Sequence, residues 1–146
     1  MRWATVVAFA LLAAACNDLR EYRGTWSGTR VGDAEVVRIG VESGARATLV
    51  VEDIFEHGFA GTLSITGLAT AASVVSVDGA EADVLAGITF PGSPLRTYLA
   101  FVPTTDSGGD ALAIIALYDH DRIELRILRG GTTPLYGIFS LTEAAP

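Results

Sequence analysis

The chain contains no lysine and no glutamine, and only one asparagine, one methionine and one cysteine. A single cysteine excludes an internal disulfide framework and any cysteine-rich zinc site. Charge is scarce too: 18% of residues are charged while 50% are hydrophobic. That balance excludes a disordered chain, because enough apolar surface is available to offset the entropy of ordering. The ten basic residues are all arginine and face seventeen acidic ones, for a net charge of −7. No basic stripe exists to displace counterions from phosphates, so nucleic acid is excluded as a partner. Missing lysine and glutamine alongside abundant alanine is the mark of a genome-wide codon preference, so arginine here does not signal selected arginine chemistry. The 146 residues suit one domain.

The first residues read as a targeting segment. Met1-Arg2 supplies a positive start, Thr5 to Leu12 an apolar stretch, and Ala13-Ala14-Ala15-Cys16 an end of small residues. The uncharged run from Trp3 to Cys16 is fourteen residues, short of the ~20 that span a bilayer and suited to a signal-peptide core. Its end resembles the lipobox of bacterial lipoproteins, in which a small-residue site precedes the cysteine that becomes lipidated and N-terminal. Cys16, the chain's one cysteine, holds that place, and Ala13 stands where leucine is usual. The resemblance implies removal of residues 1–15, a lipid anchor on Cys16 and attachment to the bacterial envelope. Asn17, where the commonest inner-membrane retention signal has aspartate, points to the outer membrane, facing periplasm or surface. Ala13-x-Ala15 also satisfies the non-lipoprotein peptidase, which would leave Cys16 a free thiol on a secreted protein. Residues 16–21 are then the lipidated cysteine and a short polar tether, and 22–146 a single domain.

From Tyr22 onward the hydrophobic period is two. Ala82, Val84, Ala86, Ile88 and Phe90 share one face of a run, and Leu63 with Ile65 alternates against Thr62, Ser64 and Thr66. Ile123, Leu125 and Ile127 alternate with Arg122, Glu124 and Arg126, and Val37, Ile39 and Val41 with Arg38 and Glu42. Such alternation makes half-buried strands. Ser43-Gly44 and Asp78-Gly79 read as hairpin tips, where glycine can take positive φ. The spacing predicts strands at 22–31, 35–42, 45–55, 59–66, 70–77, 81–90, 95–102, 111–118, 122–128 and 135–141, with room for one helical turn in Glu52 to His57. So much strand demands that the sheet close or pair, since long open edges aggregate. Short sequential hairpins point to an all-β fold, an antiparallel meander of eight to ten strands closed as an up-and-down barrel. A two-sheet sandwich is the alternative.

Gly24-Thr25-Trp26 opens the first strand of the domain and resembles the G-x-W signature of lipocalin-type barrels. The resemblance implies that Trp26 plugs one end of a barrel and packs on an arginine after the last barrel strand, for which Arg129 is the candidate. The family's Thr-Asp-Tyr motif is absent, since Thr105-Asp106 is followed by serine. The plainer reading of Trp26, and the favoured one, is a large core residue at a strand start.

Chemistry-bearing patterns are few. His57 closes Glu52-Asp53-Ile54-Phe55-Glu56-His57, one imidazole among carboxylates, which serves an acidic loop as well as a metal. His120 lies between Asp119 and Asp121 and reads as a hairpin tip, since the remaining ligands and the glycine of a calcium loop are missing. Gly24-Thr-Trp-Ser27-Gly28 has the wrong spacing for a nucleophile elbow, and no phosphate loop or dinucleotide fingerprint occurs. Arg122, Glu124 and Arg126 on one outward face suggest a cross-strand ion ladder of little energetic weight.

The expected function is therefore non-catalytic, without cofactor or metal. The first reading is a lipid-anchored binding module whose interior or mouth takes a small apolar ligand. Its core or cavity residues would be Trp26, Ile39, Leu63, Ile65, Val84, Ile88, Leu99, Phe101, Leu125 and Phe139. The second is a protein-interaction module, such as an inhibitor of a periplasmic or secreted hydrolase, using an acidic surface and the loops 52–58, 91–94 and 104–110.

Overall fold

Ala47, Leu49 and Val51 alternate with Arg46, Thr48 and Val50, and Gly61, Leu63 and Ile65 alternate with Thr62 and Ser64. Each run buries one side and wets the other, which only an extended, paired backbone allows. A computed structural model describes residues 19–31, 40–79, 92, 94–119 and 122–145. A single 3-10 turn, Leu19–Tyr22, precedes nine strands: β1 Gly24–Thr29, β2 Arg46–Phe55, β3 Gly58–Ile65, β4 Ala69–Val75, β5 Val77–Asp78, β6 Arg96–Val102, β7 Ala111–Leu117, β8 Ile123–Arg129 and β9 Leu135–Glu143. No α-helix occurs among the described residues.

The strands pair antiparallel in the order β4-β3-β2-β1-β9-β8-β7-β6-β5. Because the first strand joins the last, the up-and-down meander curls into one nearly closed barrel, as the strand pattern predicts. The predicted strand 81–90 lies outside the described residues, as does 35–39 of strand 35–42; residues 40–42 are not strand. Ser43-Gly44 forms a turn, with Gly44 at φ 81°.

Four local expectations are corrected. The helical turn at Glu52–His57 is absent, because β2 runs on to Phe55 through a register shift between Val51 and Asp53, leaving Glu56-His57 as a tight turn. The strand expected at 70–77 is divided at Ser76. Its buried side chain accepts the Phe59 N–H at 3.0 Å while its own N–H donates to the Phe59 carbonyl at 2.8 Å. Past that point the chain leaves β3 and pairs with β6, Val77 opposite Leu99. Asp78-Gly79 is not a hairpin tip, since the Gly79 N–H donates to the Thr97 carbonyl at 2.8 Å and extends that ladder. The expected polar tether is no tether at its C-terminal end, because Leu19 and Tyr22 are buried against the barrel. Among the described residues the core therefore reaches back to Leu19, three residues before the expected start of the domain.

The core is one cluster running from Leu19 and Tyr22 through Trp26, Leu49, Leu63, Ile115 and Phe139 to Leu135.

Candidate functional site

Of the expected core or cavity residues, Trp26, Leu63, Ile65, Leu125 and Phe139 face inward and are at most 2% exposed. Ile39, Val84 and Ile88 lie outside the described residues, as do Cys16 and His120. Leu99 and Phe101 are corrections. In β6 the inward set is Tyr98, Ala100 and Val102, and Phe101 points out with 71% of its surface exposed. From Tyr98 to Val102 both alternating sets of this strand are apolar, so period two does not choose between them; pairing with β7, Tyr98 opposite Ile115, makes the choice.

One end of the barrel is closed by aromatic residues. Trp26, near the start of β1, donates its indole N–H to the Tyr22 carbonyl at 2.8 Å, and the two rings lie 5.6 Å apart. The Tyr22 hydroxyl donates to the Tyr118 carbonyl, which ties the 3-10 turn to the end of β7 across 96 residues of sequence. Arg122 stacks on the Tyr118 ring at 3.8 Å. Burial is the main cause that raises the Tyr118 pKa, and the Glu124 carboxylate adds to it.

The arginine implied by the lipocalin-type resemblance is not there. Arg129 pairs with Leu135 at the start of β9, whereas Trp26 pairs with Glu143 at its end. Those positions are on the order of 26 Å apart at ~3.3 Å per residue. Arg129 instead grips the β6–β7 loop. Its guanidinium takes both Asp106 oxygens, at 2.8 and 2.7 Å, and donates to the Gly109 and Thr133 carbonyls at 2.9 and 3.0 Å. The Arg129 fork, the Thr104 hydroxyl and the Gly108 N–H together hold the Asp106 carboxyl well below the usual carboxylate range. Asp106 raises the Arg129 pKa in return. Thr105-Asp106 lies in the loop expected at 104–110, and the clamp itself is not among the expected features. The available signal was Asp106 two residues before Gly108, the spacing at which an aspartate oxygen accepts a backbone N–H.

The remaining candidates separate. His57 is exposed in its turn, with Glu56 at 3.6 Å. Among the described residues no three His, Cys, Asp or Glu side chains converge. Glu124 and Arg126 do share the outward face of β8, yet they pair with each other along one strand at 2.7 Å and are each only 6% exposed. The expected solvated, cross-strand ladder is thus a buried intrastrand pair. A shallow groove of about 270 Å³ on β2–β4 is lined by Arg46, Thr48, Ser64, Thr66 and Thr70 and touches Ile65 alone of the expected cavity residues. Inside the barrel the Tyr98 hydroxyl is buried edge-on to Phe59, with no hydrogen-bond partner in bonding geometry among the described residues. Burial raises its pKa, and the nearby Arg96 guanidinium partly offsets the shift.

Compared with protein families, curated proteins and solved structures, the chain matches none.

Proposed function

We propose that the protein is an exported, lipid-anchored, non-catalytic module of the bacterial envelope that acts by contacting another protein. The observation that carries this reading is the packing of the described inward side chains. They belong to one cluster that stretches from the Tyr22–Trp26 end to Leu135 near the other, so the outer surface and loops are the better candidates for binding. The anchor would sit close to the barrel. With Leu19 already buried in the fold, Cys16 precedes it by three residues, a reach of roughly 10 Å.

The second reading, a small apolar ligand inside the barrel, draws on the buried Tyr98 hydroxyl, which has no partner in bonding geometry among the described residues and which a ligand's polar end would satisfy. The test is made on protein purified with its anchor from the envelope. Mass spectrometry of a solvent extract should find no small molecule at stoichiometric amount, and added long-chain fatty acids should leave the melting temperature unchanged. A stoichiometric ligand would transfer the proposal to the second reading. Cys16→Ser should move the protein from the membrane to the soluble fraction, and a wild type already soluble with an unmodified cysteine would remove the anchor.

A further inference from the structure

The chain carries a net charge of −7, yet the groove on β2–β4 is lined by an arginine and hydroxyls, with no carboxylate. Strand alternation builds it. Trp26, Leu49 and Leu63 pair in one inward row, so the neighbouring row of Ser27, Thr48 and Ser64 lies on the outer surface. That row then meets a bulge. Leu63 pairs with Ala72 and Ile65 with Ala69, so Ser64 alone faces both Thr70 and Ala71. Ala71 takes φ 42°, the one positive φ outside glycine among the described residues, which crowds its Cβ against the backbone. The Ser64 hydroxyl holds this bend by accepting the Ala71 N–H at 2.9 Å. A bulge re-aims the side chains beside it, and here Thr70 becomes part of the groove wall. Backbone strain of this kind persists where the surrounding structure enforces it, and ligand sites are where it gathers.

The hydrogen bonds already made decide what remains for a ligand. Arg46 donates from Nη2 to the Ser27 hydroxyl at 3.0 Å and forms no ion pair among the described residues. The Thr66 hydroxyl is spent, accepting the Arg46 N–H at 3.1 Å and donating to the Arg46 carbonyl at 3.2 Å. Ser64 gives a lone pair to Ala71 and keeps its O–H, while the Thr48 and Thr70 hydroxyls bond no other described residue. The groove therefore presents a permanent cation and the hydroxyls of Thr48, Ser64 and Thr70, drawn from three adjacent strands. Donors that converge from three strands suit a tetrahedral oxyanion better than a carboxylate, whose two oxygens lie in one plane. At about 270 Å³ the groove has room beyond a single oxyanion, and no aromatic ring lines it to receive a flat apolar body. Hydroxyls both donate and accept, which matches a polyhydroxy neighbour. We infer that the groove binds the phosphate group of a phosphorylated sugar. The Arg46 guanidinium takes phosphate oxygens, and Thr48, Ser64 and Thr70 divide between phosphate and sugar hydroxyls. This site stands apart from the protein-contact reading and does not depend on it.

The test follows the Arg46 guanidinium and Thr48 signals of the full chain by NMR at low ionic strength. Glucose 6-phosphate, inorganic phosphate and glucose are titrated separately. Glucose 6-phosphate should saturate both signals and bind more tightly than phosphate, with glucose weakest, and added salt should weaken it. Arg46→Gln should lose at least about tenfold in affinity, the scale of a charge-assisted hydrogen bond, and Thr48→Val about fivefold, the scale of a neutral one. Both side chains lie on the surface, so the variants should melt with the wild type. Arg46→Lys keeps the charge without the planar fork and should fall between wild type and Arg46→Gln. Arg23→Gln removes an exposed arginine just before β1 and should leave binding unchanged. No saturation, glucose binding as tightly as glucose 6-phosphate, or an equal loss in Arg23→Gln would overturn the site. Displacement of the sugar phosphate by phosphatidylglycerol vesicles, and not by phosphatidylcholine vesicles, would overturn the sugar as bearer and assign the phosphate to a lipid headgroup.

Discussion

The two ends of the barrel are closed by different physics. At the Trp26 end the closure is apolar, with a buried tryptophan and tyrosine in ring contact and each spending its one polar atom on a backbone carbonyl. At the Arg129 end it is polar, a planar guanidinium that gathers a carboxylate and two carbonyls from loops on either side. The first closure removes large apolar surface from water and works at any pH or salt. The second lies at the rim, where Asp106 is well exposed, so its charge term is screened while its geometry still orders the loop. The Trp26 end therefore belongs to the core, whereas the Arg129 end is a fastening on a loop.

The sharpest way to break this contrast is Trp26→Ala, which should cost about 3–5 kcal/mol in denaturant unfolding. A loss below 1 kcal/mol would mean that the aromatic plug is not part of the core. Tyr22→Phe keeps the ring and removes its hydrogen bond to Tyr118, so about 0.5–1.5 kcal/mol should be lost. At the other end, Asp106→Asn should have a smaller effect and should depend on acid. The folded-state pKa of Asp106 is depressed, so its contribution is complete above the ordinary carboxylate pKa of about 3.9 and is lost as the pH falls below it. The gap in melting temperature between wild type and Asp106→Asn should be widest near pH 6 and close on acidification; a gap that widens with acid would reverse the assignment. His57→Ala, in an exposed turn at the Trp26 end, should change stability by no more than about 0.5 kcal/mol. Zinc should not raise the melting temperature, and a zinc-dependent rise abolished by His57→Ala would reopen a metal site.

Much of this architecture was legible from residues. Where a strand has one wet and one dry face, as in β2 and β3, alternation located it to within a residue or two and chose the inward face correctly for Leu63 and Ile65. Where both faces are apolar, alternation loses its meaning. β7, Ala111–Leu117, has no polar residue at all, and in β6 the inward and outward sets are both apolar, which is why Phe101 was assigned to the wrong side. The site was less legible than the fold. The Arg129–Asp106 clamp joins residues 23 apart in sequence, and the Glu124–Arg126 pair reads as a solvated ladder until its burial is known.

Composition and periodicity by themselves determined that the fold is all-β, because each alternating run can bury its apolar side only as a paired strand. They also determined where most turns fall. Only the tertiary structure decided that β1 pairs with β9 and so closes the meander, since nothing local to either strand specifies a partner more than a hundred residues away. It decided too that the 70–77 run bends at Ser76 and crosses from β3 to β6, leaving Val75, Val77 and Phe101 in solvent. Register is a property of two strands together, and a shift of one residue exchanges every inward side chain for an outward one.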